Sequence, residues 1–561
     1  PPHGLIRQRQ QASGIAPECR YAPRRSTAIA EPLPGECLHP MLSALIRLAA
    51  AVFALAAIAT PAAAEWYEAS SEHFVIYADD READIRTFAQ NLERYHSAMA
   101  FLTGRKSETP SPSNRVVIFA VGGERAMRSL SGDKQIAGFY VPRAGGSRAF
   151  VQDIRNQASG YPDFTTIVLL HEYAHHFLLS SSRFAKPRWL DEGAAEFFAA
   201  ASFERDGSMW IGRPAQHRAG DLAFADPVHV RELLDPALYE DKKVKGFDAF
   251  YAKSWLLYHY LTFNTERRPQ FNTYLLNLAN GMEQKAAGDA AFGDLDQLEK
   301  ELKAYVRQPR MTAIKLTPDK LSTGTIALRK LTPGEGAMMP LQIRSQRGVD
   351  SEEAAALLGE VRLVAAKYPE DAGVLTALAE AEFDAGHDAE AIAAADKALA
   401  LDPSRANAYV QKGYALFRIA SETEGDKRAA AFNAAIKPFS ALNKLENDHP
   451  LPLIYFYRAQ VERGAAPSEN ARAALERAAI LAPFDHGLQI NAAIMLAGEG
   501  KIAFARTLLA PVAANPHGGG AAARAKQLLA AMTEAAEGTP LDLAKLPEPV
   551  EVPEVELPGE E

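Results

Sequence analysis

The chain has 561 residues, 47% hydrophobic and 23% charged, with a formal net charge of −9. That length accommodates two or three domains of ordinary globular composition. The acidic balance gives no support to nucleic-acid binding, and two cysteines, Cys19 and Cys37, are too few for a disulfide framework.

Residues 1–40 are rich in Pro, Arg and Gln without periodicity and do not read as a domain. They are expected to be upstream sequence foreign to the native protein, or disordered. Met41 opens a different pattern. Arg47 closes a short leader, 48–60 is apolar or small throughout, and Pro61-Ala62-Ala63-Ala64 follows. This is the order of a signal peptide over 41–64, cleaved near Glu65. The apolar run is shorter than the roughly 20 residues of a membrane span. Export to a periplasm, cell envelope or medium is therefore expected, with no stable membrane span after cleavage. Both cysteines precede the cleavage point, so the mature chain would carry no thiol.

From Glu65 the pattern alternates. A strand is expected at 73–77, a helix over 80–102, and an apolar, central strand at 115–120. Strands at 136–141 and 148–151 flank a hairpin-like turn at 142–147. An apolar run from Thr166 then leads into His171-Glu172-Tyr173-Ala174-His175 and on to Leu179. On a helix, positions i and i+4 share a face, so His171 and His175 can reach one metal ion. Glu172 lies one residue round, within reach of a water but not of the metal. This is the spacing of a zinc-dependent hydrolase, although a lone match in a long chain needs supporting context.

The context is the next helix, Trp189 to Phe198, entered through Pro187. A catalytic zinc takes three protein ligands and leaves a position for water, and Glu192 would be the third. Glu196, four residues on, would accept the free ring N–H of a ligating histidine. Asp191-Glu192-Gly193-Ala194-Ala195-Glu196 after HExxH resembles the gluzincin metallopeptidases, whose later helix often reads N/D-E-G-x-A-E. The resemblance implies His171, His175 and Glu192 as Zn2+ ligands, Glu172 as general base, and Glu196 as the supporting carboxylate. It also implies a small sheet ahead of the HExxH helix, whose outer strand pairs with extended substrate.

Beyond Glu196 the pattern reads as helical to about residue 307. An aromatic stretch there holds Tyr251 and His259. Gluzincins stabilise the developing oxyanion from a helix at that distance, which points to Tyr251 ahead of His259; the plainer reading of both is core packing. His176 is expected to pack or cap locally. The gluzincin-like domain is thus drawn at 65–308.

Residues 309–349, with Pro318, Pro333 and Pro340 and short β-like pieces such as Thr325-Ile326-Ala327-Leu328, read as a linker that can hold a hairpin. From about 350 the chain is Ala-rich. Ala391 and Ala398 precede Pro403 at the offsets that Ala471 and Ala478 keep ahead of Pro483. Leu375 and Ala379 match Tyr455 and Ala459 in the preceding helix. A further unit starts at Tyr409–Gly413, and a weaker one occupies 487–516. This is similar to tetratricopeptide repeats, with a period of about 34 residues and small residues where helices cross. The repeats are assigned to 350–536, with a groove for a protein partner, and 537–561 to an acidic, Pro-rich, disordered tail.

The expected fold is therefore α+β, a thermolysin- or gluzincin-like zinc peptidase domain followed by an all-α repeat solenoid. The expected activity is hydrolysis of a peptide or protein substrate. The alternatives are a catalytically silent repeat scaffold and a non-peptide amidase on the same zinc chemistry.

Overall fold

A computed structural model describes residues 65–106, 109–132, 136–154, 160–179, 184–242, 247–515 and 517–546. The expected segments 1–40 and 41–64 lie outside the described residues. Among the described residues no helix is long and apolar enough to cross a membrane.

A six-stranded mixed sheet carries the N-terminal part. Its strands are β1 (Tyr67–Ser70), β2 (Phe74–Ala78), β3 (Val116–Ala120), β4 (Gly138–Val141), β5 (Arg148–Val151) and β9 (Ala327–Lys330), in the order β4-β5-β3-β2-β1-β9. β3 runs parallel to both β2 and β5, which places the most apolar strand centrally. β4 closes one edge, antiparallel to β5 across the 142–147 turn. Two helices cover one face: α1 (Glu82–Thr103) and, after α2 (Glu124–Ser131), α3 (Phe164–Leu179). Phe74, Ile76, Ile85, Ile118, Leu170 and Tyr173 form the core between them. Two bonds fix α3 against α1. Tyr95 donates its hydroxyl hydrogen to the Leu170 carbonyl at 3.0 Å, and Tyr173 Oη meets His96 Nδ1 at 2.6 Å.

After α3 come α4 (Arg188–Ala199), the short helices α5 (Ala219–Phe224), α6 (Val230–Leu234) and α7 (Pro236–Glu240), and then α8 (Phe250–Phe263). α9 (Arg268–Ala279), α10 (Gln284–Phe292) and α11 (Leu295–Tyr305) complete this part. The stretch after Glu196 is not helical throughout. β6 (Ser202–Phe203) and β7 (Met209–Ile211) form a hairpin, and β8 (Ile314–Leu316) adds to it. α4 and α8 cross with backbones nearly touching. A Cβ on Gly193 would lie 2.6 Å from the Ser254 carbonyl oxygen, so the glycine of the Asp-Glu-Gly sequence is what permits the crossing.

Residues 309–349 are not a linker. β8 joins the small sheet and β9 joins the large one, paired with β1. α12 (Pro333–Arg347) then packs Met339 and Ile343 with Phe119 and Phe150 of the second sheet face and Met127 of α2. Its Met338 and Leu341 contact Leu357 and Val361 of the helix that follows. The apolar residues of this segment are too few and too scattered to show periodicity, because they are shared between two partners.

Among the described residues ten helices follow in hairpin order. They are α13 (Ser351–Lys367), α14 (Ala372–Asp384), α15 (Asp388–Leu401), α16 (Ala406–Glu422), α17 (Arg428–Leu445), α18 (Pro450–Glu462), α19 (Glu469–Leu481), α20 (His486–Gly498), α21 (Ile502–Ala514) and α22 (Gly519–Ala531). Each packs on its neighbours in sequence, which is the arrangement of a helical solenoid. Ala379, Ala391, Ala398, Ala471 and Ala478 are fully buried at the crossings. Gly413 does the same for α16 and α17, since a Cβ there would stand 2.6 Å from the Phe439 ring.

The start of the expected disordered tail is ordered. Gly538 N–H donates to the Gly500 carbonyl at 2.8 Å and Leu541 N–H to Ala497 at 2.9 Å, with Leu541 and Leu546 packed on the last repeat. Residues 547–561 lie outside the described residues. The described residues of the sheet and the repeats fall in one compact unit.

Candidate metal centre

α3 supplies two histidines, and α4 brings three carboxylates to them. His171 Nε2 and His175 Nε2 lie 3.0 Å apart, and Glu192 Oε2 lies 3.4 Å from the first and 3.3 Å from the second. Behind them, His171 Nδ1 is 3.3 Å from Glu196 Oε1 and His175 Nδ1 is 3.2 Å from Asp191 Oδ2. Carboxylates accept only, so these contacts assign a hydrogen to each Nδ1 and turn each Nε2 towards Glu192. Glu192 is fully buried, and its Oε2 has no hydrogen bond.

That triangle fits a cation. Two imidazole nitrogens and a carboxylate oxygen at such separations need positive charge between them. Around a tetrahedral zinc with bonds of about 2.0–2.1 Å, ligand atoms lie about 3.3 Å from one another. His171, His175 and Glu192 are accordingly one of two groups among the described residues with metal-ligand proximity. The other, Glu72, His73 and Glu93, is accounted for internally: Glu93 accepts both the backbone N–H of His73 (2.9 Å) and its Nδ1–H (2.8 Å).

The same groups of α3 and α4 attract protons. Burial opposes charge on His171, but Glu192 and Glu196 together outweigh it and raise its pKa to about 9. Burial likewise opposes charge on His175, and Asp191 and Glu192 hold it well above the usual range. Against the effect of burial, His175 and His171 hold Glu192 well below the carboxylate range, and His171, His217 and Arg218 do the same for Glu196.

Glu196 is the hub of a second layer that the sequence pattern did not reveal. Besides His171, it accepts from His217 Nε2 at 2.7 Å and from Arg218 Nε at 2.9 Å. A buried carboxylate needs such partners, because an unpaired one costs several kcal/mol. His217 and Arg218 follow the β6–β7 hairpin and lack any local motif.

Tyr251, on α8, lies beside the triad, its ring centroid 6.3 Å from that of His171. The Arg218 guanidinium stands 5.0 Å and that of Arg188 5.8 Å from the Tyr251 ring. Burial and Glu192 push the Tyr251 hydroxyl up to about 12, so it keeps its hydrogen at neutral pH. His259 is elsewhere. It is fully buried, its Nε2 donating to the Gly212 carbonyl at 2.9 Å and its Nδ1 2.9 Å from Tyr305 Oη, which leaves neither nitrogen for an oxyanion. His176 packs against Phe484 of the repeats and meets the Tyr140 hydroxyl; burial lowers its pKa to about 3.

A cavity of about 160 Å³ opens on the site. Glu172 and His175 line it from α3 and Tyr140 from the edge strand β4. Its far wall is made by the repeats, through Phe484, His486 and Asn515. His517, from the turn between α21 and α22, reaches Glu192 itself, with Nε2 2.8 Å from Oε1.

No family model matches the chain, and no curated protein matches it. Solved structures overlap part of it. A protein described as a thermophilic TPR protein, TTC0263 of Thermus thermophilus, is 15% identical over 32% of this chain and 92% of its own, with a TM-score of 0.28. MamA is 20% identical over 28% and 85% (TM-score 0.23). MamA 41-end from Desulfovibrio magneticus RS-1 is 17% identical over 32% and 92% (TM-score 0.25). At such scores these likenesses carry no functional weight.

Proposed function

We propose that the chain is an exported zinc-dependent peptidase whose helical repeats hold a substrate or a protein partner beside the site. One observation carries the reading. His171 Nε2, His175 Nε2 and the orphaned Glu192 Oε2 form a triangle with edges of 3.0–3.4 Å, the size of one face of a zinc tetrahedron. The export part rests on the leader-like pattern of 41–64 alone.

His171, His175 and Glu192 would hold the zinc, which would supply Lewis acidity and acidify a bound water. The chain's own residues do the rest. Asp191 and Glu196 hold the ring hydrogens on Nδ1 and so fix both tautomers. Glu172, facing the cavity, takes the proton of the attacking water and returns it to the leaving amine. Tyr251 donates to the carbonyl oxygen as negative charge grows there, with Arg188 and Arg218 close to its ring. The outer edge of β4, whose Tyr140 lines the same cavity, suits an extended peptide added as a further strand.

The test is zinc analysis of the purified full chain together with cleavage of a mixed peptide library, for wild type and Glu172→Gln. About one zinc per chain in both proteins, with cleavage in the wild type only, is the expected result. Zinc without cleavage in either would favour the silent scaffold, and cleavage of acyl amides but no peptides the amidase. Full activity of Glu172→Gln would remove the mechanism.

A further inference from the structure

The repeats do more than stand beside the site. Glu192 presents its two oxygens to different surroundings. Oε2 faces the two histidines, while Oε1 accepts from His517 Nε2 at 2.8 Å, across 325 residues of sequence. We infer that His517 is a positioning residue of the metal site, supplied by the repeats, which holds Glu192 so that one oxygen alone is offered to the cation. This rests on reading His171, His175 and Glu192 as the ligands.

A carboxylate with both oxygens unrestrained can rotate or chelate through the pair. A donor on one oxygen removes that freedom and leaves a single ligand atom in fixed position. Glu192 is fully buried, so Oε1 cannot turn to bulk water for a substitute partner. His517 is well suited to the task. Its Nε2 is committed to Glu192, and its ring stands at 68° to that of His175 with centroids 5.8 Å apart.

The turn that carries His517 is itself held. Asn515 Oδ1 accepts the His517 backbone N–H at 2.8 Å, and Asn515 Nδ2 donates to His486 Nε2 at 3.1 Å. The repeats in turn are tied to the sheet. Asn114 Nδ2 donates to the Leu481 carbonyl, and the Ala144 N–H to Asp485 Oδ2, both at 2.8 Å. An unbroken set of contacts thus runs from the sheet through the repeats and back to the ligand. On this inference, metal affinity depends on a residue that a peptidase domain cut off near 308 would lack.

The experiment uses the full chain as wild type, His517→Ala and His517→Gln. Zinc affinity is measured by competition with a chromophoric chelator, and the visible spectrum is recorded with Co2+ in place of zinc. The His517 side chain is half exposed, so its truncation opens no internal cavity, but Glu192 Oε1 loses its donor, and the metal-free His517→Ala should melt below the wild type while His517→Gln should not. His517→Ala should bind zinc about 10–100-fold more weakly. His517→Gln, whose amide can donate to the same oxygen, should recover most of that loss with an unchanged Co2+ spectrum. Unchanged affinity in His517→Ala would overturn the inference and leave the peptidase reading intact. Failure of His517→Gln to recover, with an altered Co2+ spectrum, would make His517 a ligand rather than a positioning residue. A wild-type chain that binds no zinc would sink both readings together.

Discussion

Ser113 and Glu446 stand 333 residues apart, yet the Ser113 backbone N–H and hydroxyl both donate to the Glu446 carboxylate, at 3.0 and 2.7 Å. Ser113 precedes the central strand β3, and Glu446 follows α17. The pair therefore couples the middle of the solenoid to the sheet that carries the site.

Glu446→Ala removes both bonds and leaves the Ser113 amide without its acceptor. A loss of about 1–3 kcal/mol is expected. Hydrogen exchange at Ser113 and across α18–α20 should accelerate while exchange in α1 stays as in the wild type. Uniform acceleration through both parts would show instead that the pair stabilises the whole unit and not the contact between sheet and repeats.

Gly193→Ala tests the helix crossing. The added Cβ would lie 2.6 Å from a backbone carbonyl oxygen that no rotamer change can move. α4 must then shift away from α8 and carry Glu192 and Glu196 with it. Overpacking of this kind costs about 1–3 kcal/mol, so the melting temperature and zinc affinity should fall together. A wild-type melting temperature would mean that α4 and α8 pack less closely than described.

The candidate site was legible in the sequence to the extent that it is local. His171 with His175, and Glu192 with Glu196, are pairs at i and i+4 on two helices, and that spacing is a property of the helix alone. His217, Arg218 and His517 carried no such signal, since each reaches the site through tertiary packing. The strands 116–120, 138–141 and 148–151 were readable from apolar runs. α12 was not, because it divides its apolar residues between the sheet and the first repeat, and the β-like piece at 325–328 gave no sign of its partner, β9 being a largely exposed edge strand. The small alanines at the repeat crossings were visible only because the same offsets recur.

Acid should weaken the fold through histidines remote from the metal. Burial holds His449 and His259 near pKa 4, each neutral at pH 7. His449 Nδ1 accepts the Leu451 N–H at 3.2 Å at the start of α18, a bond that protonation would remove. Unfolded, both rings would titrate near pKa 6.5. Their contribution to stability is therefore fully present above about pH 6.5 and fades as the pH falls towards 4. Urea unfolding should show a lower stability at about pH 5 than at 7.5. The drop should be smaller in His449→Gln, which keeps an acceptor but cannot take the proton. An equal drop in both proteins would exclude His449 as a source.

Removing metal should expose how much of the fold leans on α3 and α4. A ligand that binds only the folded chain stabilises it by about 4 kcal/mol when present at a thousand times its dissociation constant. Zinc added to chelator-treated protein should therefore raise the melting temperature by several degrees. Glu192→Gln should abolish that rise, since a neutral amide is a poor partner for the cation between His171 and His175. Glu172→Gln should retain it, because Glu172 lines the cavity without belonging to the triangle of ligand atoms. If both variants lose the rise equally, Glu172 is itself part of the metal set and cannot serve as the free base. If neither loses it, zinc binds elsewhere on the chain.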